Sequence, residues 1–285
     1  MASDGYPSHP RATGNRLKAR TKYDYDTVHH LIDTTPILHV SFPPNGDDPF
    51  PATLPMLGCT GPDTFDAASE QARLSEPDHS APGSFPTGDE KKTLPSLPDG
   101  PRCIYLHGHS ASRLFQVSKG NKLPVTIAAS SMQGIVLALT PFHNSCNYSS
   151  AIVHGYASLL DDEIERNYAL TRITDNLLPE RWDNSRVPPT KAELTTTGVI
   201  KVEIESASAK VRVGGPGDDR ADLKNEELVG RVWTGVVPCW TQYGTPVPSS
   251  YNKVPTVPGY ISSFVKEEND TGKAVSVDAI QKSSK

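Results

Sequence analysis

The chain has 285 residues, with 28 Lys and Arg against 33 Asp and Glu, a formal net charge of −5 and a pI of about 6.0. That balance offers no basic excess to neutralise a phosphate backbone, and no apolar run is long enough to span a bilayer, so neither nucleic acid nor membrane is an expected partner. Only 36% of residues are hydrophobic and mean hydropathy is −0.44, with 26 Pro, so part of the chain is expected to lie outside any packed core.

The first residues, MASDGYPSHPRATGNRLKAR, are polar and lack an apolar signal core, so residues 1–22 read as a disordered arm. Residues 23–35 (YDYDTVHHLIDTT) put Val28, Leu31 and Ile32 on one helical face and predict a short helix ending before Pro36. ILHVSF (37–42) predicts a strand, PPNGDD (43–48) a turn, and FPATLPML (50–57) a second strand made irregular by its prolines. Residues 59–100 are rich in Pro, Ser, Gly and acidic side chains without apolar periodicity. They read as a long insertion at a hairpin tip, inside a domain spanning 23–250. Cys59, Cys103, Cys146 and Cys239 form neither a CxxC pair nor a disulfide framework, which suits the cytoplasm.

The next apolar run, Cys103-Ile104-Tyr105-Leu106, leads into Gly108 flanked by His107 and His109. Ser110, Ala111, Ser112 and Arg113 follow, just as a helical pattern begins at Leu114, Phe115 and Val117. A strand feeding through a Gly into a Ser-capped helix is suited to an anion, because first-turn N–H groups point outward and the helix dipole favours negative charge. The spacing predicts a strand over 102–108, an N-cap at Ser110 and a helix to 119, with a nucleotide or flavin phosphate held there. An ordinary capped surface helix is the plainer alternative.

Residues 123–129, 134–140 and 150–160 predict strands, with NYSS (147–150) as polar turn chemistry ahead of the last. A helix is predicted over 161–178, acidic at its start and stopped by Pro179. Alternation predicts a strand over 193–205, continuing into 207–213; 214–227 reads as a loop, 228–240 as a last strand and 251–285 as a tail. Many strands, one long helix and few βαβ repeats predict a mainly β fold, an antiparallel β-barrel with peripheral helices.

No GxxxxGK[ST] loop, GxGxxG turn or GxSxG elbow is present. His107 and His109 share a direction only if the chain stays extended there. With His143 they are candidates for hydrogen bonding to a cofactor or for proton donation, and no carboxylate or Cys completes the usual spacing for a metal. Ser208, Lys210 and Arg212 share one face of an extended segment, either a solvated face or a cationic wall over an anionic ligand.

Taken in order, YDYDTVHHLID, ILHVSF, FPATLPML, IYLHGHSASRLF, GIVLALTPFHNSCNYSSAIVHGYA, LLPERWDNSRVPPTKAEL, SASAKVRVG and WTGVVP cover residues 23–57 and 102–248. They resemble the flavin-nucleotide-binding group of the pyridoxamine 5'-phosphate oxidase-like family. The resemblance implies a six-stranded antiparallel split barrel that forms a homodimer with FMN at the interface. It implies that Ser110, Ala111, Ser112 and Arg113 hold the FMN phosphate, with Ser149 and Ser150 reaching the phosphate or ribityl chain and Lys210 and Arg212 nearby. Thr53, Leu54, Pro55 and Met56 would border the isoalloxazine, with His107 and His109 beside it. Relatives often carry Arg where Ser149 stands. The implied activity is an FMN-dependent oxidoreductase passing hydride from NAD(P)H to a small molecule, with His107, His109 or His143 as proton donor. A noncatalytic flavin-binding protein and a haem-binding split barrel are the alternatives.

Overall fold

The computed structural model describes residues 4–43, 48–75, 94–120 and 122–282. A two-residue strand, β1 (Thr21–Lys22), precedes α1 (Tyr25–Asp33), whose first turn is capped by the Asp24 carboxylate accepting from Thr27 N. Its buried residues include Val28, Leu31 and Ile32, as their spacing predicts. β2 (Leu38–Phe42) and β3 (Ala52–Met56) form an antiparallel pair, with Leu38 opposite Met56 and Ser41 opposite Thr53. β4 (Gly58–Pro62) and β5 (Arg102–His109) make the next antiparallel pair, with α2 (Ala67–Ser75) between them in sequence. Then come α3 (Arg113–Val117), β6 (Leu123–Leu137), β7 (Ser145–Leu159), α4 (Glu163–Leu177), α5 (Lys191–Thr196) and β8 (Thr197–Arg212). The chain ends with α6 (Arg220–Leu223), α7 (Glu226–Arg231), β9 (Gly235–Pro238) and α8 (Gly259–Gln281).

Among the described residues the fold is mainly β, one sheet of nine strands rather than six, in the order β3-β2-β6-β7-β8-β5-β4. That path has seven strands; β1, which pairs with β8, and β9, which pairs with β6, lie off it. Further differences from the sequence expectation are local. The stretch 134–140 is no separate strand: β6 runs unbroken through the polar Ser130 and Ser131. NYSS lies inside β7 rather than before it. The 59–100 stretch contains most of β4 and all of α2, while residues 76–93 lie outside the described residues. Residues 228–231 are helical, not extended, and the tail forms the long helix α8.

Contacts divide the chain into two units, residues 1–12, 23–129 and 152–207 in the first, and 13–22, 130–151 and 208–285 in the second. In the first unit β3 and β4, the two ends of the sheet order, are joined through Leu57 alone, so this sheet curls back on itself. Ile104 and Leu106 alternate along β5 with Cys103 and Tyr105. Leu106 and Leu38 close over Gly58, where an added Cβ would lie 2.6 Å from Leu106 and 3.2 Å from Leu38. Cys103 and Tyr105 face the other way, into a buried cluster with Tyr168, Ala169 and Ile173 of α4. The segment at Tyr6 is tied down rather than loose: Tyr6 N donates to Tyr23 O, and the Tyr6 hydroxyl meets His29 Nε2 at 2.6 Å.

In the second unit β9 lies on the distal part of β6, with Ile135 opposite Val237, and β1 pairs Thr21 with Lys210 of β8. α8 packs on β9, and Ser276 Oγ donates to Cys239 O at 2.6 Å. Among the described residues no helix is long and apolar enough to cross a membrane.

Candidate functional site

Gly108 of β5 stands directly opposite Gly198 of β8. Two facing residues without side chains leave a slot on the sheet, and the Phe115 ring fills it. A Cβ added at Gly198 would sit 2.4 Å from Phe115 Cδ1, and one at Gly108 would sit 2.9 Å from Phe115 Cε2 and 3.6 Å from Met56 Cε. Phe115 is 1% exposed and Leu114 is fully buried, so α3 is pinned by its apolar side while Arg113 is presented outward. This is why a five-residue helix, too short to be stable by itself, holds its place.

The cap is Ser112, not Ser110, and its hydroxyl makes no capping hydrogen bond. Ser110 is engaged in the turn: its N–H donates to Thr196 O at 2.9 Å and its Oγ to Thr195 O at 3.3 Å. Ala111 N donates to His109 Nδ1 at 3.1 Å and Ser112 N to His109 O at 2.9 Å. The outward donors expected from residues 110–112 are therefore in use, and the helix leaves the N–H groups of Arg113, Leu114 and Phe115 without intrahelical acceptors. The Arg113 guanidinium lies 5.9 Å from the centroid of the Phe42 ring and forms no ion pair with any described residue.

β5 stays extended through His109, so His107 and His109 do share a face. It is the face of Cys103 and Tyr105, opposite to the one on which Gly108 meets Met56. His107 Nδ1 is buried without a hydrogen-bond partner, and burial lowers the imidazole's pKa. His109 is exposed and acts locally, holding the turn through Ala111 N.

On β3, Met56 points inward and is 8% exposed, whereas Thr53 and Pro55 face outward. Leu54 is half-buried. Thr53 Oγ1 lies 2.9 Å from Ser41 Oγ on β2. Ser41 is in register with Thr126 of β6, whose Oγ1 lies 3.0 Å from His154 Nδ1 on β7. A row of polar side chains thus crosses four strands on the outer face. Sequence reasoning missed His154 because it stands between the apolar Val153 and Gly155 and read simply as strand.

In the second unit, Arg212 is 5% exposed and its guanidinium is bound internally. Its Nη1 donates to Asn147 Oδ1 and Nη2 to Gly215 O, while Asn147 Nδ2 donates to Gly214 O at 3.1 Å. Arg212 is a staple between β7 and the turn after β8 rather than part of an open cationic wall. Lys210 is half-buried, and its carbonyl accepts from Ser150 Oγ at 3.4 Å; Ser149 is half-buried on the opposite face of β7. His143 does meet carboxylates: its Nδ1 lies 3.9 Å from Asp218 Oδ1, and His143, Asp219 and Asp222 hold ligand-type atoms within 4.8 Å of one another. Sequence spacing hid them because they come from a distant loop.

The profile described as pyridoxamine 5'-phosphate oxidase matches residues 24–211, most of the chain. The chain belongs to this family. The structure of a flavocytochrome from Azotobacter vinelandii is similar over 90% of this chain and 96% of that one, with 26% identity and a TM-score of 0.64. A FAD- and haem-binding protein from Mycobacterium smegmatis shares the fold, with 22% identity, a TM-score of 0.61 and coverage of 86% and 96% of the two chains. No curated protein matches the chain. Within the family's matched span lie α3, the paired glycines, the polar row and the Ser149–Ser150 and Lys210 positions.

Proposed function

We propose that this family member is an FMN-binding oxidoreductase acting on a small molecule. The observation that carries this reading is the presentation of Arg113 and Ser112 by a helix locked into the Gly108–Gly198 slot. A guanidinium with no anionic partner among the described residues, beside a Ser hydroxyl free of capping, suits a phosphate. The outward Thr53 and Pro55 of β3 suit a flat ring laid against the strand. Bound flavin would supply hydride transfer, and the chain's part is to hold the phosphate, place the ring and control solvent. Ser110 and Ala111 belong to the same proposal as further cofactor contacts, and NAD(P)H as hydride donor. His107, which has a buried nitrogen without a hydrogen-bond partner, stays in this proposal as the proton-donor candidate, although burial lowers its pKa and so disfavours the protonated ring.

Exposed apolar residues of the second unit support a homodimer. Phe142 is 95% exposed, Trp233 66%, and the cross-strand pair Ile135 and Val237 stands 45% and 46% exposed. Light scattering that gives a monomer mass would overturn this part. Four free cysteines support a cytoplasmic setting.

Titration of the purified chain with FMN and with FAD, followed by quenching of flavin fluorescence, tests the main reading. Saturable uptake of FMN is expected; uptake of neither flavin overturns the reading, and uptake of FAD alone corrects the cofactor. Anaerobic NADPH should then bleach the bound flavin, and failure to bleach would leave a flavin-binding protein without this donor. A second reading, flavin together with haem, is favoured by the 26% identity to a flavocytochrome along almost the whole chain.

A further inference from the structure

His143 ends the single turn Pro141–His143 between β6 and β7, where its N–H donates to Thr140 O at 3.2 Å. Carboxylates from the segment after β8 converge on its ring. Asp218 Oδ1 lies 3.9 Å from Nδ1, and Asp219 Oδ2 lies 4.0 Å from Nε2. Asp222 completes a group with His143 and Asp219 whose ligand-type atoms lie within 4.8 Å of one another. Both segments belong to the second unit. Two ties hold them together. Leu139 N donates to Asp218 Oδ1 at 2.8 Å, and Arg212 joins Asn147 of β7 to the turn at Gly215.

The imidazole stands between these carboxylates without bonding to them. Nδ1 is buried and has no hydrogen-bond partner, and Asp218 and Asp219 both lie beyond hydrogen-bond reach. Asp219 occupies the N-cap position of α6, yet its side chain makes no capping bond. Among the described residues no Lys or Arg forms an ion pair with Asp218, Asp219 or Asp222. Like charges gathered without a basic partner repel one another, and a cation among them removes that cost. The Asp218 side chain is 5% exposed, so Nδ1 faces a carboxylate fixed inside the protein while Nε2 faces the other two. A carboxylate behind one nitrogen and anionic ligands before the other is the arrangement of a metal-ligating histidine with its support. One imidazole with two carboxylates favours a borderline first-row ion over Ca2+ or Mg2+, which take oxygen ligands.

We propose that His143 Nε2, Asp219 and Asp222 bind a divalent ion of the Zn2+ or Co2+ type, with Asp218 positioning the ring. Metal–ligand distances of about 2.0–2.2 Å draw the ligands closer than they stand here, which the exposed Asp219 allows. The ion clamps the β6–β7 turn to the segment after β8, and His143 is then a ligand and no proton donor. The proposal does not rest on the flavin reading.

The test is titration of the metal-free full chain with Co2+, by calorimetry and visible absorbance, for native protein, His143→Ala, Asp219→Asn and Asp218→Asn. Native protein is expected to take up one Co2+ per chain, with a d–d band and no thiolate charge-transfer band, and to melt at a higher temperature with the ion than without it. His143→Ala and Asp219→Asn should weaken binding by at least about tenfold and lose the rise in melting temperature. Asp218→Asn, which keeps all three ligands, should weaken binding by about tenfold. Far-ultraviolet circular dichroism of each variant should match native protein, which shows that they fold. No saturable Co2+ uptake by native protein, or uptake unchanged in His143→Ala, would overturn the site. A thiolate band would move the ion to a cysteine and overturn it as well. Native affinity in Asp218→Asn would remove the positioning role of Asp218.

Discussion

The Tyr105 hydroxyl donates to Glu165 Oε1 at 2.7 Å, joining the centre of β5 to the first turn of α4. Lys201 of β8 donates to the same oxygen at 2.9 Å. Burial and the neighbouring carboxylate both raise the tyrosine's pKa, so the phenol stays a donor. Tyr105→Phe is expected to cost about 1.5–3 kcal/mol, the value of a hydrogen bond to a charged group. Glu165→Ala, which leaves Lys201 sheltered and unpaired, should cost more, about 3–5 kcal/mol. Urea unfolding of the two variants checks the ranking, and the reverse order would refute it.

His29 sets an acid limit on stability. It is 2% exposed, and burial, reinforced by Arg102, lowers its pKa from 6.5 to about 4. As pH falls the unfolded chain takes up this proton first, so the histidine's contribution is complete above pH 6.5 and declines until about pH 4. Melting curves of native protein and His29→Gln should therefore converge across that window. A constant gap between them would show that protonation of His29 is not involved.

Phe115 makes a prediction about two glycines. Gly198→Ala puts its methyl closer to the ring than Gly108→Ala does, 2.4 Å against 2.9 Å. Overpacking of this kind costs about 1–3 kcal/mol, and Gly198→Ala is expected at the upper end. Because the displaced ring carries α3 with it, both variants should also bind FMN more weakly. Equal stability of native protein and Gly198→Ala would count against the slot.

Arg113→Ala should weaken FMN by about tenfold or more, the loss of a charge-assisted contact. Riboflavin, which has no phosphate, should bind the variant and the native chain alike. If both ligands weaken equally, Arg113 acts on folding rather than on the phosphate.

The strand–turn–helix at 105–113 was legible because its signals are local: an apolar run, a Gly, hydroxyls, then Leu114 and Phe115. The N-cap was misplaced by two residues because Ser110 is drawn to Thr195 and Thr196, across the sheet and invisible to spacing. β6 was read as broken because Ser130, Ser131 and Met132 are exposed in its middle, where the strand passes from one unit to the other. α8 escaped notice because its buried residues include Ser276 and Ala279, too small to mark an apolar stripe. Arg212 looked like part of a charged face because alternation reports direction and says nothing of Asn147. His154 carried no motif; only the neighbouring strand gives it a partner.

Polar first residues invite removal when a shorter version of a protein is wanted. Here that choice would be costly well away from the terminus. Tyr6 closes over His29 and meets Tyr25 edge-on at 4.7 Å, while Arg11 borders a cavity beside His154. A version starting at residue 13 would bare an imidazole now shielded inside the first unit and strip one wall from the cavity. The smallest version that keeps both intact has to begin ahead of Tyr6.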